Sequence, residues 1–188
     1  MTSSQKFIEQ NRRKLDAGRD FFNPDTSYMS VADYEKAKLR IMVIFPSPSD
    51  VKAVSTTKEA LNDFVISHCP DCFIDFAYLP SAADMKLYDK ANQPYAIGNI
   101  THLDASHFDI VGFSISVLCE VIAMPVMLKT FSRCDKPVPL TWSERKDMLI
   151  GECPIIMCGG ITAVCGDIMY GELGDGRQAY PDSPYIIS

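Results

Sequence analysis

Positive charge is in short supply: 18 Lys and Arg stand against 24 Asp and Glu, giving a net charge of −6 and a pI near 5.0. A nucleic-acid binder needs a basic face for the phosphate backbone, so no nucleic-acid partner is expected. Long apolar runs are missing too. The first twenty residues carry Lys6, Arg12, Arg13, Lys14 and Arg19 between short apolar groups, and no stretch approaches the roughly 18 apolar residues of a membrane span. Neither a signal peptide nor a membrane partner is expected, and the cytoplasm is the expected location. A glycine-rich GxGxxG turn is also absent, which argues against a phosphate cradle of the dinucleotide-binding kind.

Cysteine is plentiful, with seven residues, but its arrangement lacks what a structural metal or a disulfide framework requires. The count is odd and no secretory address precedes it, so reduced thiols packed as small hydrophobes are the expectation. Cys69-Pro70-Asp71-Cys72 has CxxC spacing with His68 beside it, the pattern of a redox pair or of half a zinc site. No second CxxC answers it, so no metal ligands are assigned. Cys158 and Cys165 flank a glycine pair without a histidine or carboxylate set and read as packing residues.

What is present is an α/β pattern in 188 residues, 47% hydrophobic and 22% charged, enough for one core. Residues 1–38 read as an N-terminal helical appendage: a helix capped by Ser3 or Ser4 and running to about Ala17, a polar stretch, then a short helix opened by Ser30. Residues 39–188 read as the α/β domain. Leu39 to Phe45 (LRIMVIF) is continuously apolar, as a central parallel strand buried on both faces must be. A helix capped by Thr56 or Thr57 follows, with Leu61, Phe64, Val65 and Ile66 as its apolar positions. The next strand is Cys72 to Tyr78; a weak helix (AADMKLYDK) and an extended piece around YAIGNI come after it. Phe108 to Ser114 is a third strand, Val117 to about Arg133 a helix, and Cys153 to Cys158 a fourth strand. Strands alternating with crossover helices predict right-handed βαβ units and a doubly wound parallel sheet of the flavodoxin-like, or Rossmann-like, kind with helices on both faces.

In such a sheet ligands sit beyond the carboxyl ends of the strands. Ser114, Ile115 and Ser116 follow the third strand, and Gly159, Gly160, Ile161 and Thr162 follow the fourth, so the two groups should line one crevice. Paired glycines let backbone approach a flat or bulky ligand without an intervening Cβ.

The phrases FDIVGFSIS and CGGIT, in that order and after an apolar strand with Asp50 in its loop, resemble the cobalamin-binding domain at the N-terminus of class B radical SAM enzymes. The resemblance covers about Leu39 to Asp175. It implies a vitamin B12 cofactor over the carboxyl edge, its nucleotide tail entering a slot between Ser114 and Ser116 on one side and Gly159, Gly160 and Thr162 on the other. Ser47, Ser49, Asp50, Val51 and Lys52 would lie under the corrin, and Gly171 and Glu172 echo a later turn of the family.

Two departures matter. The branch that ligates cobalt through histidine carries Asp-x-His-x-x-Gly in the first loop, whereas Lys52 stands at the histidine position here, and an ammonium has no lone pair to offer. The implied corrinoid is therefore base-off and His-off; His68, His102 and His107 read as surface or structural. The CxxxCxxC run that holds a [4Fe–4S] cluster is also missing, so no iron–sulfur cluster belongs to this sequence and catalysis would rest on a radical SAM domain or subunit as partner. Other readings of the same scaffold are a domain for a flavin or nucleotide, and a non-catalytic interaction protein that lost its ligand. Asp50, Asp75, Asp109, Glu120, Asp167 and Glu172 are scattered, and no catalytic residue is assigned. Tyr78 and Trp142 are candidates to stack on a flat ligand.

Overall fold

The computed structural model describes residues 1–16, 29–48, 56–140 and 152–160, together with the backbone of 185–186. Its centre is a parallel sheet of β1 (Leu39–Phe45), β2 (Cys72–Tyr78), β3 (Ile110–Ser114), β4 (Ile155–Gly159) and the short β5 (Tyr185–Ile186), in the order β2-β1-β3-β4-β5. This is the strand order of flavodoxin-like folds, reversing direction between β1 and β3. The fifth strand is the Tyr-Ile piece near the end of the sequence, paired to Met157 and Cys158.

Each strand must satisfy two cores, because side chains alternate across the sheet. Met42, Ile44, Phe73, Ala77, Val111, Phe113, Ile115 and Ile156 point to one face. There they meet Phe7 and Ile8 of α1 (Ser3–Asn11) and Tyr88 of the helix Ala82–Lys90, as well as Val121, Met124, Met127 and Leu128 of the helix Leu118–Lys129. On the opposite face Val43, Phe45, Ile74 and Phe76 pack under Leu61 and Val65 of the helix Thr57–His68. With α2 (Val31–Lys36) preceding β1, these three helices are α3 (Thr57–His68), α4 (Ala82–Lys90) and α5 (Leu118–Lys129).

The N-terminal helix is fastened to the domain along its apolar side. Ile8 is fully buried, Phe7 sets its ring edge-on to Tyr88 at 4.7 Å, and the buried Ser4 hydroxyl reaches Gln93 at 3.2 Å. Its cap is Thr2 rather than Ser3 or Ser4: Thr2 and Gln5 form a reciprocal capping box, and the helix ends at Asn11 rather than near Ala17.

Other element ends differ from the sequence expectation for local reasons. In α3, Phe64 and Ile66 face solvent at 57% and 44% exposure while Asn62 is buried, because the helix turns one stripe inward and that stripe runs through Leu61, Asn62 and Val65. The helix after β3 stops at Lys129, and Thr130–Arg133 tightens into a 3-10 turn pinned by the Thr130 hydroxyl, which donates to the Met127 carbonyl and accepts from the Tyr95 amide. The YAIGNI piece is buried at Ala96 and Ile97 but makes a single isolated bridge, Ile97 to Asp104.

A buried carboxylate holds that irregular segment to the sheet. Asp75, in the middle of β2 and wholly inaccessible, accepts from the amides of Phe76 (2.7 Å), Ile100 (3.0 Å) and Thr101 (3.0 Å) and from the Thr101 hydroxyl (2.7 Å). Burial pushes the Asp75 carboxyl above the ordinary range, and these four donors pull it back down. Gly98 is glycine because a Cβ there would strike the same carboxylate. Asp75→Ala strands three amides and a hydroxyl in the core, and urea unfolding should show a loss of about 3 kcal/mol. An unchanged midpoint would mean that the segment 98–101 is held by something else.

Candidate functional site

The carboxyl ends of β1 and β3 flank the point where the strand order reverses, and a buried glutamate joins them. Glu120 lies in the first turn of α5 and has no solvent exposure. Its Oε1 accepts from the Ser47 hydroxyl at 2.7 Å, just past β1, and its Oε2 accepts from the amides of Ser116 (2.6 Å) and Val117 (3.2 Å), just past β3. Glu120 occupies the N3 position of a capping box, reaching back over the helix start; Val117 at the cap has no oxygen of its own to return the bond. The helix terminus and its dipole favour the negative charge there.

Ser114 closes β3 half-buried, with Gly159 of β4 as its register partner. Val43 pairs with Gly112 in the register, so Gly112, Ser114, Met157 and Gly159 share the face on which α3 lies. A Cβ added to Gly112 or Gly159 would meet nothing within 4 Å among the described residues. On the same face, Asn62 of α3 is 1% exposed, and its side-chain Nδ2 has no hydrogen-bond partner among the described residues. A buried donor left unpaired is uncommon and costs about 1–3 kcal/mol.

The two glycines differ in kind. Gly160 has φ +114°, and a Cβ on it would sit 2.2 Å from the Ile115 carbonyl oxygen, so glycine is required there by the protein's own backbone. Ile115, buried, also donates its amide to the Gly159 carbonyl at 2.8 Å, which extends the β3–β4 pairing past the end of β3. The two rims therefore touch at Ile115 and Gly160, and among the described residues the unfilled side-chain space lies at Gly159. Ser116 is exposed, as are Val117 (48%), Leu118 (61%) and Ile122 (66%) in the first turns of α5.

Of the residues expected at the site, the fold brings together Ser47, Ser114, Ile115, Ser116, Gly159 and Gly160. Ser49, Asp50, Val51, Lys52, Ile161, Thr162, Gly171 and Glu172 lie outside the described residues, as do Trp142 and Cys165. Tyr78, at the end of β2, stacks on Phe45 with ring centroids 5.5 Å apart. Burial lifts the Cys158 thiol to about 11, which keeps it a neutral packing group. Glu120 was visible in the sequence only as one of several scattered carboxylates; its spacing of three residues from Val117, at the start of a helix, is the signal that marks it. Asn62 carried no such signal.

A second polar cluster sits at the opposite, amino edge of the sheet. Asp104, His107 and Asp135 bring three potential metal-ligand atoms within 4.8 Å of one another. Asp104 is already engaged: Oδ1 accepts from the Ser106 amide (2.9 Å) and hydroxyl (2.5 Å), and Oδ2 from the Asp135 amide (3.2 Å) and Ser4 hydroxyl (3.4 Å). His107 and Asp135 pair directly at 3.2 Å. The cluster ties α1, the 3-10 turn Ala105–His107 and the loop after α5 together.

No helix among the described residues is long and apolar enough to cross a membrane. No protein-family model, curated protein or solved structure matches the chain.

Glu120→Ala leaves a hydroxyl and two amides without their acceptor at a buried junction, and chemical unfolding should register a loss of about 3 kcal/mol. Gly160→Ala places a methyl group into the Ile115 carbonyl at a positive φ, and a drop in melting temperature matching about 2 kcal/mol is expected. A wild-type melting curve for the Gly160 variant would show that the β3–β4 rim has room to relax.

Proposed function

We propose that the chain is a corrinoid-binding module that holds cobalamin, base-off and His-off, at the carboxyl edge of the sheet and serves a radical SAM domain or subunit in methyl transfer or related chemistry. The observation that carries this reading is the register pair Ser114 and Gly159, a hydroxyl beside side-chain space that no described residue fills, next to the switch point. The resemblance of FDIVGFSIS and CGGIT to class B radical SAM cobalamin domains supplies the identity of the ligand.

The residues present fit such a group. Ser114 offers a hydroxyl to a polar tail; among the described residues, Gly159 and Gly112 leave room against the sheet and Asn62 has a side-chain donor without an acceptor on the same face. Glu120 fixes the loops after β1 and β3 relative to each other, so Ser47 and the Ser116 amide are held before any ligand arrives. Val117, Leu118 and Ile122 present an apolar border on which a corrin edge or a partner domain can rest. His68 closes α3 just before β2, and His102 and His107 lie between α4 and β3, so all three histidines stand where chain feeds into the amino edge of the sheet. That placement favours a His-off corrinoid. Bound cobalamin would supply a cobalt centre able to carry a one-carbon group.

Protein mixed with hydroxocobalamin and desalted should keep a coloured corrinoid at close to one equivalent, and at a hundredfold its dissociation constant the ligand should stabilise the fold by about 2.7 kcal/mol. Gly159→Val should fold normally, since a β-branched side chain suits a strand and meets no described neighbour, yet lose the colour on gel filtration. Colourless wild-type protein, with a melting shift from flavin instead, would replace cobalamin by another ligand at the same edge. Full retention by Gly159→Val would move the ligand away from β4.

A further inference from the structure

The CxxC segment lies at the amino edge of the sheet, away from the proposed ligand, and its chemistry is independent of that reading. Helix α3 ends at His68, and Cys69 follows as its C-cap, its amide bonded to the Val65 carbonyl at 2.9 Å. Pro70 and Asp71 then form a turn closed by the Cys72 amide on the Cys69 carbonyl at 2.9 Å, and Cys72 opens β2. A closed four-residue turn keeps its end Cα atoms within about 7 Å. Disulfides span about 4.4–6.8 Å between Cα atoms, so the two ranges overlap without any rearrangement of the chain.

Both thiols are half-buried against the core under α3, at the two ends of the closed turn. Burial first, and then the neighbouring sulfur, keep Cys72 in its thiol form above the ordinary range. Among the described residues a metal reading lacks ligands. The His68 ring stacks on Phe64 with its Nδ1 at the Phe64 carbonyl (3.1 Å), and Asp71 is paired with Lys38 at 2.8 Å. Among the described residues, the three-ligand grouping Asp104, His107 and Asp135 belongs to a different part of the molecule. Of the remaining described cysteines, Cys153 and Cys158 are buried and burial pushes the Cys134 thiol far up, while Cys119 is exposed on α5, in another part of the fold from this turn.

We propose that Cys69 and Cys72 are a reversible thiol-oxidation site, converted to an intramolecular disulfide by small disulfides of the glutathione class. With Cys72 held as the thiol, Cys69 makes the first attack on the small disulfide, forming a mixed disulfide and releasing one small thiol. The Cys72 sulfur, on losing its proton, then displaces the second. Two protein S–H bonds are lost, one S–S bond is gained, and the two electrons and two protons end on two small thiol molecules. The product staples the end of α3 to the start of β2.

The test uses the full chain in oxidised glutathione, with peptide mapping by mass spectrometry after alkylation. Wild-type protein should yield the segment holding Cys69 and Cys72 lighter by two hydrogens and resistant to alkylation, reverting with dithiothreitol. Cys72→Ser should instead accumulate glutathione on Cys69, the intermediate that wild-type protein passes through. Recovery of both cysteines as alkylated thiols, under conditions where the exposed Cys119 takes up glutathione, would overturn the proposal. So would finding either of them bridged to a different cysteine or to a second chain.

Discussion

Burial of β1 on both faces is the constraint from which the rest of the architecture follows. LRIMVIF has no polar residue beyond Arg40, so each side of the strand must be covered, and a two-sided cover requires helices above and below the sheet. With β2 on one flank and β3 on the other, β1 becomes the place where the strand order reverses. The chain leaving β1 and β3 then goes to helices on opposite faces, the arrangement at whose carboxyl edge such sheets open a ligand crevice. The position of the candidate site is in this sense a consequence of which strand is most apolar.

Two carboxylates hold the irregular parts to this frame, and each is fully buried and matched by several donors. Asp75 gathers the segment Ile100–Thr101 onto β2, while Glu120 gathers the loop after β1 and the start of α5. Backbone amides that leave a sheet or begin a helix lack ladder partners, and a carboxyl group with two oxygens meets several of them at once. An isolated buried charge would be costly, but a carboxylate saturated by donors is held in one geometry. That rigidity keeps Ser47 and the Ser116 amide fixed beside the crevice.

At the rim itself, backbone proximity and open space divide the paired glycines between them. Gly160 serves the contact of β4 with Ile115, and Gly159 leaves room, among the described residues, on the side of the sheet that carries Ser114 and Asn62. The ligand-binding reading therefore rests on the first glycine, and the fold on the second. The CxxC turn and the Asp104 cluster lie toward the other edge, where αβ connections arrive, so redox chemistry at Cys69 and Cys72 need not disturb the crevice.

The class of fold and most element positions could be read from residue order alone, because hydrophobic periodicity is a local property: β1 and β2 run from Leu39 to Phe45 and from Cys72 to Tyr78 as their apolar runs require, and the AADMKLYDK helix lies where it was expected. The same order also located the serines and glycines at strand ends. Only the tertiary structure decided which of these meet and why. Gly160 is needed by Ile115, a neighbour distant in sequence; Glu120 finds Ser47 across 73 positions; and Asn62 is buried although Phe64 and Ile66 beside it are exposed. Such pairings depend on how strands order and helices rotate in packing, and nothing in a local pattern of side chains encodes the identity of a partner so far along the chain.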